Sequence, residues 1–521
     1  MRSDGLIGLA VAGLLAAAGL ARAEDPMSAI DWLSDSVERP VPVALPPTGS
    51  GPGLAAEPDT ATSALPEDVT VVPLGQVSPD AAGLLPTSVT GLPRDLWGPT
   101  GAGDLGRLIR SERADMVPAL RAALLQLLLA EVDPPFDADA RGALFLARID
   151  KLLDLGALDQ AAAMLERVGT TQTPEIFRRA FDVALLTGNE DVACRSLAAT
   201  PSLSPTYPAR IFCHARNGDW DTAALTLGTA RALGFISDGE DALLSRFLDP
   251  DLYEGEPLPV LSGPLTPLEF RMFEAIGEAQ PTGSLPRAFA QSDLRTTAGW
   301  KAQIEAAERL TRTGALDPAR LVALYGERRP AASGGVWERV TKIQALDAAL
   351  ESGDRARIAG AIVRAHAAMA EVELEPALAA IYAGRLTALD LPGPGGALAF
   401  RLALLTPDYE AAAAARAPLD AAEAFLRALA QGVPSASPPP DPLADAVADG
   451  FAAQQVPLRV RTLLDENRLG EAILRAMDLV MLGATGELDE LADGLALLRA
   501  LGLEDTARRA ALEILILDRR G

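Results

Sequence analysis

The chain has 521 residues, a formal net charge of −25 and only 4 % aromatic residues. Such acidity excludes a general binder of nucleic acid or of anionic membrane, because both need basic patches to neutralise phosphate. An all-β fold wants far more Val, Ile, Thr and aromatic residues, whereas the abundant Ala is the best helix former, so the expectation is an all-α protein.

Residues 1–23 have the layout of a secretory signal. Arg2 supplies a charged start, Leu6 to Leu20 is an apolar run, and Ala21-Arg22-Ala23 meets the small-x-small rule for cleavage before Glu24. The alternative is an uncleaved anchor, but the run is short and Gly-rich for a bilayer span of about 20 residues. Glu24 in place of Cys argues against a lipoprotein. The chain carries only three lysines, Lys151, Lys301 and Lys342, and no N-glycosylation sequon. With the leader, this Arg- and Ala-heavy usage points to the periplasm of a Gram-negative cell with a GC-rich genome.

Residues 24–103 are dominated by Pro, Gly, Ser and Thr. This composition buries too little apolar surface to offset chain entropy, so a largely disordered tether is expected. Two apolar islands interrupt it, one around Trp32 and one around Trp97. Each Trp is either a docking anchor for a partner or a plug in the protein's own surface.

From residue 104 the pattern turns helical. Phe145, Ile149, Leu152 and Leu153 share one face, and after Gly156 an apolar face returns with Leu158, Ala161, Ala162, Leu165 and Val168. The same junction recurs around Gly188, Gly218, Gly314, Gly353, Asn467 and Gly502. In each, an apolar helix end is followed by Gly or Asn, usually an acid, and then Ala. Gly or Asn takes the left-handed conformation that closes the first helix. The acid caps the next helix and faces its positive end. Ala lets the second helix lie against the first.

This helix-turn-helix resembles that of tetratricopeptide repeats, whose turn commonly reads Gly-x-x-x-x-Ala. Gly156 and Gly188 are 32 residues apart and Gly188 and Gly218 are 30, near the family's period of about 34. The family's Trp, Tyr and Pro signature positions are mostly missing, and Gly314 to Gly353 is 39 residues. The resemblance implies an α-α superhelix of degenerate repeats, a solenoid with an extended Pro/Gly-rich N-terminal segment. Repeats are expected over 104–250 and again over 251–431, with long Pro-rich loops near 251–300 and a break at 389–396. Residues 432–442, GVPSASPPPDP, read as a linker before a C-terminal helical module, 443–521, whose last helix caps the solenoid.

Cys194 and Cys213 are the only cysteines. They lie on successive helices at matching distances from the loop between them, so a disulfide is expected. His214 and His366 are the only histidines, and neither has a partner pattern. No G-x-S-x-G, phosphate-cradling P-loop, strand-linked G-x-G-x-x-G or H-E-x-x-H motif is present. Periplasmic lytic transglycosylases also carry helical superhelices, but the Glu-Ser pair and Gly-Leu-Met-Gln-like stretch of their catalytic domain are missing here. The expectation is a non-enzyme without cofactor or metal. The candidate binding surface is the block 285–310 together with 332–340, which holds Arg287, Arg295, Trp300, Lys301 and Trp337, aromatic anchors with a local positive field. The first functional expectation is a scaffold or adaptor that holds a protein partner of an envelope-spanning machine, in cell-wall synthesis, division or the flagellum. The second is a peptidoglycan- or glycan-binding protein that stacks Trp300 and Trp337 on sugar, and the third a structural envelope spacer.

Overall fold

The computed structural model describes residues 78–204, 206–261 and 263–517. Residues 1–23, expected to be a signal, Trp32 and the greater part of the 24–103 segment lie outside the described residues. Within the described residues there are twenty-five α-helices and no strand; an isolated parallel bridge joins Leu85 to Ala130. No helix among them is long and apolar enough to cross a membrane.

The first run comprises the single turn α1 (Thr87–Thr90), then α2 (Ala102–Ser111), α3 (Pro118–Leu129), α4 (Ala143–Leu155), α5 (Leu158–Val168), α6 (Pro174–Thr187) and α7 (Glu190–Ala199). It continues through α8 (Tyr207–Arg216), α9 (Trp220–Ala232), α10 (Asp238–Leu248), α11 (Pro267–Ala275) and the short α12 (Ala290–Asp293). A middle run holds α13 (Trp300–Arg312), α14 (Pro318–Gly326), α15 (Val336–Ser352), α16 (Arg355–Ala370), α17 (Glu375–Thr387) and α18 (Gly393–Ala403). The last run holds α19 (Tyr409–Ala415), α20 (Ala421–Ala430), α21 (Pro442–Ala452), α22 (Leu458–Asp465), α23 (Leu469–Ala484), α24 (Leu488–Ala500) and α25 (Glu504–Leu517).

All seven turn residues of the recurring junction have positive φ, from 56° at Asn467 to 83° at Gly218. The left-handed residue lets each chain reverse so that consecutive helices pack in pairs. The acid after the turn behaves in two ways. Asp219, Asp317 and Asp354 accept backbone N–H bonds as N-caps. Asp159, Glu190 and Glu471 sit inside the first helical turn and make no N-cap bond. These three face the positive end of the helix dipole, and Glu190 and Glu471 also accept from Arg271 and Arg468, each at 2.6 Å.

Helix α4 departs from the amphipathic expectation, being buried almost all round. Its charged residues are therefore neutralised internally. Arg148, fully buried, donates from Nε to the Leu128 carbonyl (2.7 Å), from Nη1 to the Ala82 carbonyl (2.7 Å) and from Nη2 to the Ala130 carbonyl (2.8 Å). Asp80 accepts the Phe145 N–H at 2.6 Å. Asp150 is held by Arg179 at 2.9 Å and Arg110 at 3.3 Å. Lys151 donates to the Glu112 carbonyl and to Asp154.

These bonds correct the tether boundary. Residues 78–103 belong to the folded body: Asp80 and the Ala82 carbonyl are locked by α4, and Leu96 and Trp97 are core residues, Trp97 only 1 % exposed. Backbone groups of a Pro-rich segment are satisfied here by specific long-range donors, which composition does not reveal. GPGG at 393–396 is likewise not loop. It opens α18, where a Cβ on Gly395 would lie 2.6 Å from Ala359 on α16. The Pro-rich stretch near 251–300 contains a complete helix, α11, opened by a Thr266/Glu269 capping box with Pro267 at the first position.

The chain does not stay in one open row. One hydrophobic core combines residues between Leu96 and Leu186 with residues between Phe400 and Ile514. A second core is built chiefly from Ala290 to Leu405, and a third from Phe177 to Phe273. Helices α11 and α12 return to α6, while α23 packs on α2 and α25 on α3. The last helix thus closes on the start of the array instead of capping a free end. Residues 432–442 carry a 3-10 turn, Pro434–Ala436, with Pro434 buried, and the segment joins helices of that same shared core.

Candidate functional site

Helices α5, α6 and α7 enclose a groove of about 300 Å³. Thr173 caps α6 by accepting the Ile176 N–H, and Pro174 fixes its first turn. Gly188, left-handed at φ 81°, ends α6 and turns the chain into α7. Leu165, Phe177 and Val183 lie in the groove wall, and Ala162, Ala180, Ala184 and Ala193 line it with side chains too small to fill it. Val192, 59 % exposed, stands at its edge. Thr187 and Asn189 hydrogen-bond to each other at one end, and Glu166 is the charged group on the wall. The arrangement is an apolar trough with a polar end, suited to aliphatic or aromatic side chains presented by another chain.

The candidate surface expected from sequence is divided by the fold. Trp300 and Trp337 come together, ring centroids 5.1 Å apart and planes at 41°, and both are half-buried against the second core. The Trp300 indole N–H donates to the Leu324 carbonyl at 3.0 Å. The cations are spoken for by carboxylates. Arg287 pairs with Asp115 at 2.7 Å, Arg295 with Glu274 at 2.7 Å, and Lys301 with Glu305 at 3.5 Å. The expected positive field is therefore neutralised pair by pair.

Trp97 plugs the protein's own surface. Its ring lies over the start of α23, so close that a Cβ on Gly470 would stand 2.5 Å from it. The Leu96 carbonyl accepts the Gly470 N–H at 2.8 Å, and Asn467 donates to Asp95 at 3.0 Å. Trp220, at the start of α9, is 51 % exposed and leans on Phe247.

Cys194 on α7 and Cys213 on α8 are disulfide-bonded, with Cα atoms 5.0 Å apart. His214 Nδ1 lies 3.8 Å from Asp219, and His366 is pushed below its ordinary pKa by burial and by Arg401. Among the described residues no group of three or more His, Cys, Asp or Glu is placed to hold a metal ion.

Sequence reasoning missed the groove itself. Its lining is mostly Ala, a residue that carries no functional signal, and the space depends on how three helices meet. Comparison of the chain with protein-family models, with curated proteins and with solved structures finds no match.

Proposed function

We propose that the protein is a non-catalytic scaffold or adaptor of the Gram-negative periplasm that holds a protein partner in the groove between α5, α6 and α7. The observation that carries this reading is the apolar trough itself: its walls are buried Leu, Phe and Val side chains, and small Ala side chains leave it open. An apolar groove between paired helices is the surface on which helical arrays of the tetratricopeptide kind hold segments of other proteins. Export is supported by the signal-like layout of the sequence at 1–23 and by the Cys194–Cys213 disulfide, which persists in an oxidising compartment. The non-catalytic reading rests on the missing motifs. Partners in cell-wall synthesis, division or the flagellum fit an envelope location equally.

A photo-crosslinking residue at Val192 tests the proposal in living cells. One dominant protein adduct is expected there, abolished by Ala184→Arg, which fills the trough from a half-buried position beside the third core, in a variant whose thermal unfolding stays cooperative. A crosslinker that yields only lipid or diffuse products, or an adduct indifferent to Ala184→Arg, would refute the groove as the partner site. Fractionation of the same cells tests the compartment. The tilted, half-exposed Trp300–Trp337 pair favours glycan binding as a second reading. Under that reading the protein sediments with purified peptidoglycan and Trp300→Ala releases it.

A further inference from the structure

The groove between α5, α6 and α7 opens beside the point where the described chain starts. Ser78 and Ala82 line a neighbouring cleft together with Arg167, Val168 and Gln172. Arg167 follows directly on Glu166, which stands on the groove wall, and Thr170 of the same turn lines the groove as well. The end of α5 and the turn into α6 are thus shared by the groove and by the entry point of the chain. Residues 24–77 precede that point.

Within 24–77 a single proline-free run carries large apolar residues at i, i+3 and i+7: Ile30, Leu33 and Val37. On a helical projection Ala29 joins them, Trp32 borders them, and Asp31, Asp35 and Glu38 fall on the opposite side. An amphipathic segment with anchors at this spacing is what an apolar groove between helices takes, and the small Ala side chains of the wall leave room for it. The one charged residue lining the groove, Glu166, makes no ion pair or hydrogen bond among the described residues. Arg39, the only base in 24–77, stands two residues beyond Val37 and complements it. The intervening residues 40–77, thirty-eight in number, span up to about 130 Å when extended. Helix α6, with 14 residues, is only about 21 Å long, so the connection does not limit the reach. The other apolar island of the 24–103 segment sets a precedent, since Leu96 and Trp97 are buried on the body of their own chain.

We infer that residues 27–39 of the same chain occupy this groove as an intramolecular ligand, with Ile30, Leu33 and Val37 in the trough. The inference rests on reading the groove as a protein-binding surface. Linkage raises the effective concentration of such a segment to as much as the order of millimolar. A free partner must therefore displace it, and the groove is closed to weak binders.

The photo-crosslinking residue at Val192 tests this in the purified protein, with no other protein present. Mass mapping is expected to join position 192 to residues 27–39, with a yield independent of protein concentration. Ile30→Asp together with Leu33→Asp, which leave every described residue unaltered, should lower that adduct at least about tenfold, the least that two lost aliphatic anchors imply. No adduct, an adduct to residues 40–77 or to another described surface, one joining isotopically distinct copies of the chain, or one indifferent to the two substitutions would each overturn the inference. In cells the same pair of substitutions should raise the partner adduct at Val192 severalfold, and an unchanged partner adduct would show that the segment does not compete for the groove. The two readings fail separately. A partner adduct in cells without the intramolecular one in the purified protein removes this inference and leaves the groove as a partner site. The intramolecular adduct, with no partner adduct even after both substitutions, upholds it and removes the adaptor reading.

Discussion

Arg148 shows how single residues decide this fold. A guanidinium without contact to solvent survives only when its donors are satisfied, and here they are taken by three backbone carbonyls from two separate segments, Ala82 in one and Leu128 and Ala130 in the other. Burial still lowers its pKa to about 10. Arg148→Met should therefore cost about 3–5 kcal/mol in urea denaturation, because it orphans those carbonyls and leaves Asp80 without its nearest positive charge. A loss under 1 kcal/mol would mean that water replaces the side chain. Two buried carboxyls give the pH dependence its sign. Burial and the Asp478 carboxylate push Glu112, 4 % exposed, up to about 8, and burial pushes Asp80 up to about 6. Lys151 and Arg475 oppose the rise at Glu112, and Arg148 opposes it at Asp80. Both acids bind their protons more tightly in the folded chain than in the unfolded one. Stability from Glu112 is thus full below its unfolded value of 4.5 and is lost as pH rises to about 8. The expected slope is up to about 1.4 kcal/mol per pH unit for this one group. Glu112→Gln should flatten the decline measured by denaturation between pH 5 and pH 8, and an unchanged slope would assign the decline to other groups.

At the scale of elements, what could be anticipated from the sequence was whatever is encoded locally. The Gly and Asn turns at 156, 188, 218, 314, 353, 467 and 502 are local signals, and all seven take the left-handed conformation. The cysteine pair follows from those turns and from an even spacing about one loop. Reduction, or paired Cys194→Ser and Cys213→Ser, should destabilise the α6–α11 lobe by about 2–4 kcal/mol. Faster amide hydrogen exchange confined to α7 and α8 would check that the loss is local. The capping box of α11 was also a local signal, but it was hidden among prolines that read as loop. The docking of residues 78–103 was beyond reach, because its partners are not local in sequence, 65 residues on for Asp80 and Phe145 and 372 for Asp95 and Asn467. Trp97 meets Gly470, and the contact tolerates no side chain there. Gly470→Ala should cost about 1–3 kcal/mol by overpacking, and Trp97→Ala about 3–5 kcal/mol by leaving a cavity. The double variant should cost clearly less than the sum, since the smaller residue relieves the clash. Additivity in a double-mutant cycle would show that the two residues do not touch. The candidate Trp and Arg block was readable as composition, yet its electrostatics were not. The carboxylates that neutralise Arg287 and Arg295, Asp115 and Glu274, are not its sequence neighbours.

For the whole molecule, closure changes what a helical array is expected to do. In an open array each repeat contacts only its neighbours, so stability is roughly a sum of local terms and terminal repeats can be removed. Here α2 and α3, near the beginning of the described chain, bury their apolar faces against α23 and α25, near its end, within one core. The Glu513 carboxylate that receives the Ala119 N–H, and the Trp97 ring on Gly470, are bonds of the same seam. Removing residues 432–521 should therefore not leave a shortened, stable array. It would expose Leu120, Leu124 and Leu105 of the N-terminal helices, which are fully buried in the intact chain. A chain ending at Gln431 is expected to lose its cooperative thermal transition and to bind hydrophobic dye, and adding residues 432–521 as a separate polypeptide should restore the transition. If the shortened chain instead unfolds cooperatively at the temperature of the intact protein, the seam contributes little and the molecule behaves as an open array after all.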